Sequence, residues 1–183
     1  MPGAGTAWPP LDDGGAAHLR PGMPLPDLAL PATIGDSVNL ATRRGAAIVY
    51  VYPWTGRPDL ADPPGWDDIP GAHGSTPETL GFRDAYPRFR ERGLEVFGLS
   101  TQSREHQREL CERLGVPFPI LSDADFAFQT ALRLPTFDAG DTRYLKRLTL
   151  VVEAGRLRQT FYPVPEPGTH AEAVIDGLTP GGT

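Results

Sequence analysis

Two rhythms of apolar and polar positions alternate along this chain. Ala46–Tyr52 (AAIVYVY) and Glu95–Thr101 (EVFGLST) are short, nearly continuous apolar runs rich in β-branched and aromatic residues, the pattern of strands buried on both faces. Between them Leu80, Phe82, Tyr86 and Phe89 recur at helical spacing and predict a helix over Thr76–Arg92, stopped by Gly93. Ser103–Leu114 predicts a helix capped by Ser103 and closed by Gly115, Asp125–Leu132 a short one, and Thr169–Leu178 the last. Asp27–Leu30 with Ser37–Leu40 predicts a short hairpin, and Leu145–Glu153 with Arg156–Tyr162 a longer one turning at Ala154-Gly155. Helices interleaved with buried strands, then a late hairpin and a final helix, predict a single α/β domain with a central mixed β-sheet flanked by helices.

The ends of the chain follow neither rhythm. Residues 1–21 are rich in Gly, Pro and Ala and predict a flexible N-terminal arm; residues 22–178 form the expected domain, and 179–183 a tail. With 183 residues the chain is long enough for one full core. A net charge of −6, with Lys and Arg scattered, leaves no footprint for nucleic acid or an anionic membrane. No apolar run approaches the roughly 20 residues of a bilayer span. The start shows no charged-then-apolar leader, and one cysteine cannot build a disulfide framework, so a reducing, cytoplasmic setting is expected.

Candidate chemistry concentrates in Pro70–Asp84 (PGAHGSTPETLGFRD), a glycine-loosened loop running into a helix start. Ser75-Thr-Pro-Glu78 fits a capping box, Ser75 accepting from the helix and Glu78 reaching back. His73 lies near Ser75, but Ala72-His-Gly-Ser-Thr76 lacks the Gly-x-Ser-x-Gly elbow and nothing marks the rest of a triad. Neither paired cysteines nor Glu-x-x-His spacing occurs, so no metal and no cofactor is expected.

Four stretches in order resemble the peroxiredoxins of the Q-type, or bacterioferritin-comigratory, branch. They are the strand Ile48–Pro53 ending in Tyr-Pro, Gly74-Ser-Thr-Pro77 with Phe82-Arg-Asp84, Val96–Ser100 leading to Pro117-Phe-Pro-Ile-Leu-Ser-Asp123, and Lys146-Arg-Leu-Thr-Leu150. The resemblance covers about Met23 to Leu178 and implies a thioredoxin-like fold, a thioredoxin-dependent peroxidase, a peroxide substrate, a thioredoxin-type reductant and a monomer. It places Ser75 where the family carries its peroxidatic cysteine. Arg147 becomes the arginine aimed at the reactive sulfur, against an ordinary surface ion pair, and Pro53 joins the catalytic set. Gly74, Thr76, Thr55 and Trp54 become pocket candidates. A thiol attacks an O–O bond only as thiolate, and a helix N-terminus with an arginine favours that form. A serine hydroxyl does not ionise near neutral pH, so the sequence as it stands is expected to be inactive as a peroxidase. Cys111, 36 positions after Ser75, matches the resolving cysteine of members that carry it on the following helix; the other reading is a small buried hydrophobe. Leu80 stands where other members place that cysteine. A resolver without its nucleophile reads either as a Cys→Ser form of a peroxidase or as a naturally serine-bearing relative with a binding, regulatory or recruited enzymatic role.

The chain departs from the family pattern in two places. Ala72 replaces the usual threonine, leaving Thr55 or Thr76 to supply its hydroxyl, and Pro53 lies 22 positions before Ser75. The extra length is an insertion at 54–69 (WTGRPDLADPPGWDDI), expected to form an ordered flap beside the pocket. Its Trp54 and Trp66 either line an apolar entrance or pack the flap onto the body.

Overall fold

The computed structural model describes residues 10–180. Its centre is a five-stranded mixed sheet. Strands β3 (Ala46–Val51), β4 (Leu94–Ser100) and β5 (Ile120–Ser122) run parallel, β8 (Leu148–Glu153) runs antiparallel to β3, and β9 (Arg156–Phe161) antiparallel to β8, in the order β5-β4-β3-β8-β9. Two short antiparallel pairs lie outside it: β1 (Leu30–Pro31) with β2 (Ser37–Val38), and β6 (Thr136–Ala139) with β7 (Thr142–Leu145). The helices are α1 (Ser75–Glu91), α2 (Arg104–Leu114), α3 (Ala127–Leu132) and α4 (His170–Gly177).

Strand periodicity divides the core. Along β3, Ala47, Val49 and Val51 face one layer, where Phe128 and Leu132 of α3 pack; Ile48 and Tyr50 face the other, where α1, α2 and α4 supply Phe82, Leu110 and Val174. A strand covered on both sides has no solvent face, which explains its unbroken apolar run. Tyr50 is fully buried and stacks on Phe82 with ring centroids 4.4 Å apart. Gly98 on β4 makes room for it: a Cβ there would lie 2.9 Å from Tyr50 Oη.

The major elements lie where the hydrophobic rhythm predicts them, within one or two residues at most ends. Ser103 caps α2 by accepting from His106 N at 3.2 Å, and Gly115 closes it in the left-handed region at φ 63°. Three features differ. The strand expected from Leu145 is broken: Leu145 ends β7, and β8 begins at Leu148, leaving Lys146 and Arg147 as a link outside either strand. The β6–β7 pair and three-residue β5 are too short to announce themselves by periodicity. Of the arm expected over 1–21, residues 1–9 lie outside the described residues, and the chain after them is tied down. Leu19 is buried in the first core layer, and Asp13 pairs with Lys146 at 2.6 Å and accepts from Tyr162 Oη at 2.6 Å.

Gly98→Ala should therefore cost about 1–3 kcal/mol, as an overpacked core does. The check is a lowered urea midpoint with an unchanged slope, since the fold persists around a displaced Tyr50 ring.

Candidate active site

The C-terminal end of β3 and the residue before β8 meet at one end of the central strands, the region where open α/β sheets build their sites. Val51 pairs with Leu148, so Arg147 lies one residue beyond the ladder. α1 starts on the same side. Its first residue is Ser75, after Gly74 in the left-handed region at φ 113°. A Cβ on Gly74 would lie 2.7 Å from Pro167 Cγ, so only glycine gives both the backbone angle and the clearance.

Arg147 joins these parts. One terminal nitrogen, Nη1, donates to Glu78 Oε2, and both side chains are essentially sealed from solvent. The other, Nη2, donates to Ser75 Oγ at 3.2 Å and faces the carbonyls of His73, Ala72 and Gly71 at 3.2, 3.3 and 3.4 Å. The guanidinium thus fastens the loop before α1 to its first turn. The capping box is not what forms. Gly74 occupies the cap position without a side-chain bond, Ser75 is already helical, and Glu78 turns to Arg147 instead of reaching back.

Glu78 is the site residue that pattern reading assigned to another task. Its signal is positional: Ser75, Glu78, Thr79, Phe82 and Phe89 form the buried stripe of α1, and a carboxylate in such a stripe calls for a buried cation. Burial pushes Glu78 up to about 7, with Arg147 pulling the other way. His170, buried beside Phe82 and bonded to Thr149 Oγ1 at 2.8 Å, is pushed down to about 4 by burial and secondarily by Arg147.

Ser75 is 3% exposed and lines an open cavity of about 460 Å³ together with Gly74, Thr76, Trp54, Trp66 and His73. Pro53 and Thr55 are buried but do not line it. Thr55 Oγ1 donates to Gln102 Oε1 at 3.0 Å, and the Gln102 side-chain amide returns a bond to Thr55 O. Between the two threonines, Thr76 is the one beside Ser75. Cys111 lies apart on α2, half-buried, its Sγ 3.7 Å from Thr33 Oγ1; burial pushes its thiol up. Among the described residues it makes no contact with Ser75. The flap packs onto the body through Trp66, which is 3% exposed and lies edge-on to Trp54 at 5.7 Å and Tyr144 at 5.0 Å.

As folded, the site does not arm Ser75 as a nucleophile. Its arginine is spent on a carboxylate and backbone carbonyls, and its serine has no general base: His73 Nε2 bonds Asp67 Oδ1 at 2.6 Å.

A family model described as Redoxin matches residues 20–176. A protein provisionally named a peroxiredoxin in Mycobacterium tuberculosis is 34% identical over 62% of this chain, and peroxiredoxin bcp1 of Schizosaccharomyces pombe is 27% identical over 63%. The matched segments span 64% and 52% of those relatives, less than two thirds of their length. Among solved structures, a Cys→Ser variant of PrxQ from Xylella fastidiosa superposes with a TM-score of 0.69 at 23% identity, covering 87% of this chain and 94% of that one. The bacterioferritin comigratory protein of Xanthomonas campestris, described there for alkyl peroxide reduction, gives 0.67 at 25% identity over 86% and 96%. These likenesses agree with the thioredoxin-like fold expected from the sequence.

Glu78 carries a testable pH signature. Its folded pKa lies above the unfolded value, so its contribution is fully present below about 4.5 and is lost as pH rises through about 7. The stability of wild type minus that of Glu78→Gln should fall across this window by about 3 kcal/mol. Urea unfolding at several pH values measures it; a difference that rises with pH would show that Arg147 outweighs burial.

Proposed function

The chain belongs to the redoxin family, and on that premise we propose that it is a Q-type thiol peroxidase framework whose nucleophile position is held by serine. The observation that carries this reading is the bond from Arg147 Nη2 to Ser75 Oγ in the first turn of α1. A sulfur at that position meets a permanent cation and the unpaired N–H groups of a helix start, the two features that favour a thiolate.

With cysteine at 75, the thiolate attacks one peroxide oxygen, the O–O bond breaks, and the other oxygen leaves as an alcohol or water once protonated. The sulfur becomes a sulfenic acid. The thiol of Cys111 then displaces water from it to give a disulfide, and a dithiol of the thioredoxin type returns both sulfurs to thiols. Cys111 faces Thr33, so this second step requires the start of α1 or α2 to open. Peroxide and thiol reductant are the partners this reading implies, in a reducing cytoplasm.

A second reading, a serine-bearing protein used for binding, draws on a different observation. The cavity beside Ser75 is walled by a flap that is packed rather than loose.

Peroxide consumption with a thioredoxin system separates the two. Ser75→Cys should turn over while the serine form stays at background, and adding Cys111→Ser should leave a single turnover without recycling. Absence of reaction in Ser75→Cys, with thermal unfolding showing an intact fold, overturns the peroxidase reading in favour of the binding one.

A further inference from the structure

Asp62 and Asp67 on the flap and His73 on the loop before α1 come together at the rim of the Ser75 cavity. One ligand atom from each lies within 4.8 Å of the other two. We propose that these three residues form a divalent-metal site, taking a borderline cation such as Zn²⁺ through one imidazole nitrogen and two carboxylate oxygens.

The donor set fits the chemistry. One nitrogen and two oxygens suit Zn²⁺ and neighbouring first-row cations, whereas soft ions favour sulfur. Bonds of about 2.0–2.2 Å in tetrahedral geometry separate ligand atoms by roughly 3.4 Å. His73 Nε2 and Asp67 Oδ1 lie 2.6 Å apart and all three ligand atoms within 4.8 Å of one another, so modest side-chain rotations close the site. All three side chains are exposed and free to make them. Charge argues the same way: Asp62 has no cationic partner among the described residues, and Asp67 has only an imidazole.

The backbone beneath is held in place. Asp67 follows Trp66 in the single turn Trp66–Asp68, and Trp66 is locked among Trp54, Phe137 and Tyr144. Ile69 N donates to Trp66 O, and Ala72 N to Ile69 O, carrying that order to His73.

A second observation at the cavity is independent of the three ligands. The Ser75 hydroxyl is sealed in its floor; its oxygen accepts from Arg147, and its own proton has no acceptor among the described residues. Asp62 and His73 line the same cavity. Three protein ligands would leave a coordination position open to water, and the cavity that Asp62 and His73 line is the one that Ser75 floors. The inserted residues thus acquire a task that the peroxidase reading leaves without one, and the inference stands whether or not Ser75→Cys consumes peroxide.

Calorimetric titration of the full chain with Zn²⁺, and visible absorption on titration with Co²⁺, test this directly. The expected result is one equivalent bound, with affinity lowered about tenfold or more in both Asp67→Asn and His73→Ala. Asp68→Asn, the exposed neighbour on the same turn, should bind as wild type does. Melting temperatures of the metal-free variants establish that they fold. No saturable binding by wild type overturns the proposal. So does an equal loss in Asp68→Asn, which would mark diffuse attraction to an acidic loop.

Discussion

Everything at this end of the central strands depends on one buried contact, the guanidinium of Arg147 against the carboxylate of Glu78. Each charge alone would be costly at this depth, and removing one partner from such a pair commonly costs about 3–5 kcal/mol. Paired, they fix more than themselves. Nη2 satisfies carbonyls of the Gly71–His73 loop and touches Ser75, so loop, helix start and the link before β8 are located by one side chain. The break between β7 and β8 makes this possible. A residue inside the ladder would commit its backbone to pairing, whereas Arg147 lies just past the last pair and turns toward α1.

The sheet was legible in the sequence for a simple reason. Ala46–Val51 is buried on both faces, and no other arrangement of a six-residue strand requires six consecutive apolar residues. Helix ends were legible where a single residue performs the task, as Ser103 and Gly115 do. Legibility failed where a residue's partner is distant in sequence. Glu78 reads locally as half of a capping box; its partner is 69 positions away, and only the fold brings Arg147 within reach. The same limit hid the metal-binding set, whose members at 62, 67 and 73 follow no ligand spacing and are gathered by a flap folded over a tryptophan.

Family likeness named Ser75, Arg147 and Thr55 together; in the fold Arg147 bonds Ser75, while Thr55 bonds Gln102. A hydroxyl in the right stretch of sequence is no guide once Gln102 has captured it. Cys111 marks the boundary of what position alone supplies. Its place on α2 matches a resolving cysteine, while its surroundings are those of a small core residue: half-buried, facing Thr33, with its thiol pushed up by burial. Both descriptions hold at once if opening of a helix start is part of the reaction.

The serine changes what the Arg147–Glu78 pair is for. Beside a thiolate, the arginine would divide its charge between two anions, and a carboxylate already raised by burial yields that charge readily. Beside a neutral hydroxyl no second anion competes, and the pair's remaining work is to hold the Gly71–His73 loop. That loop carries His73 to the cavity rim and, through Ala72 and Ile69, abuts the flap. The contact that would tune a nucleophile in one form of this chain therefore positions a rim ligand in the other. The two roles share one arginine without sharing any chemistry.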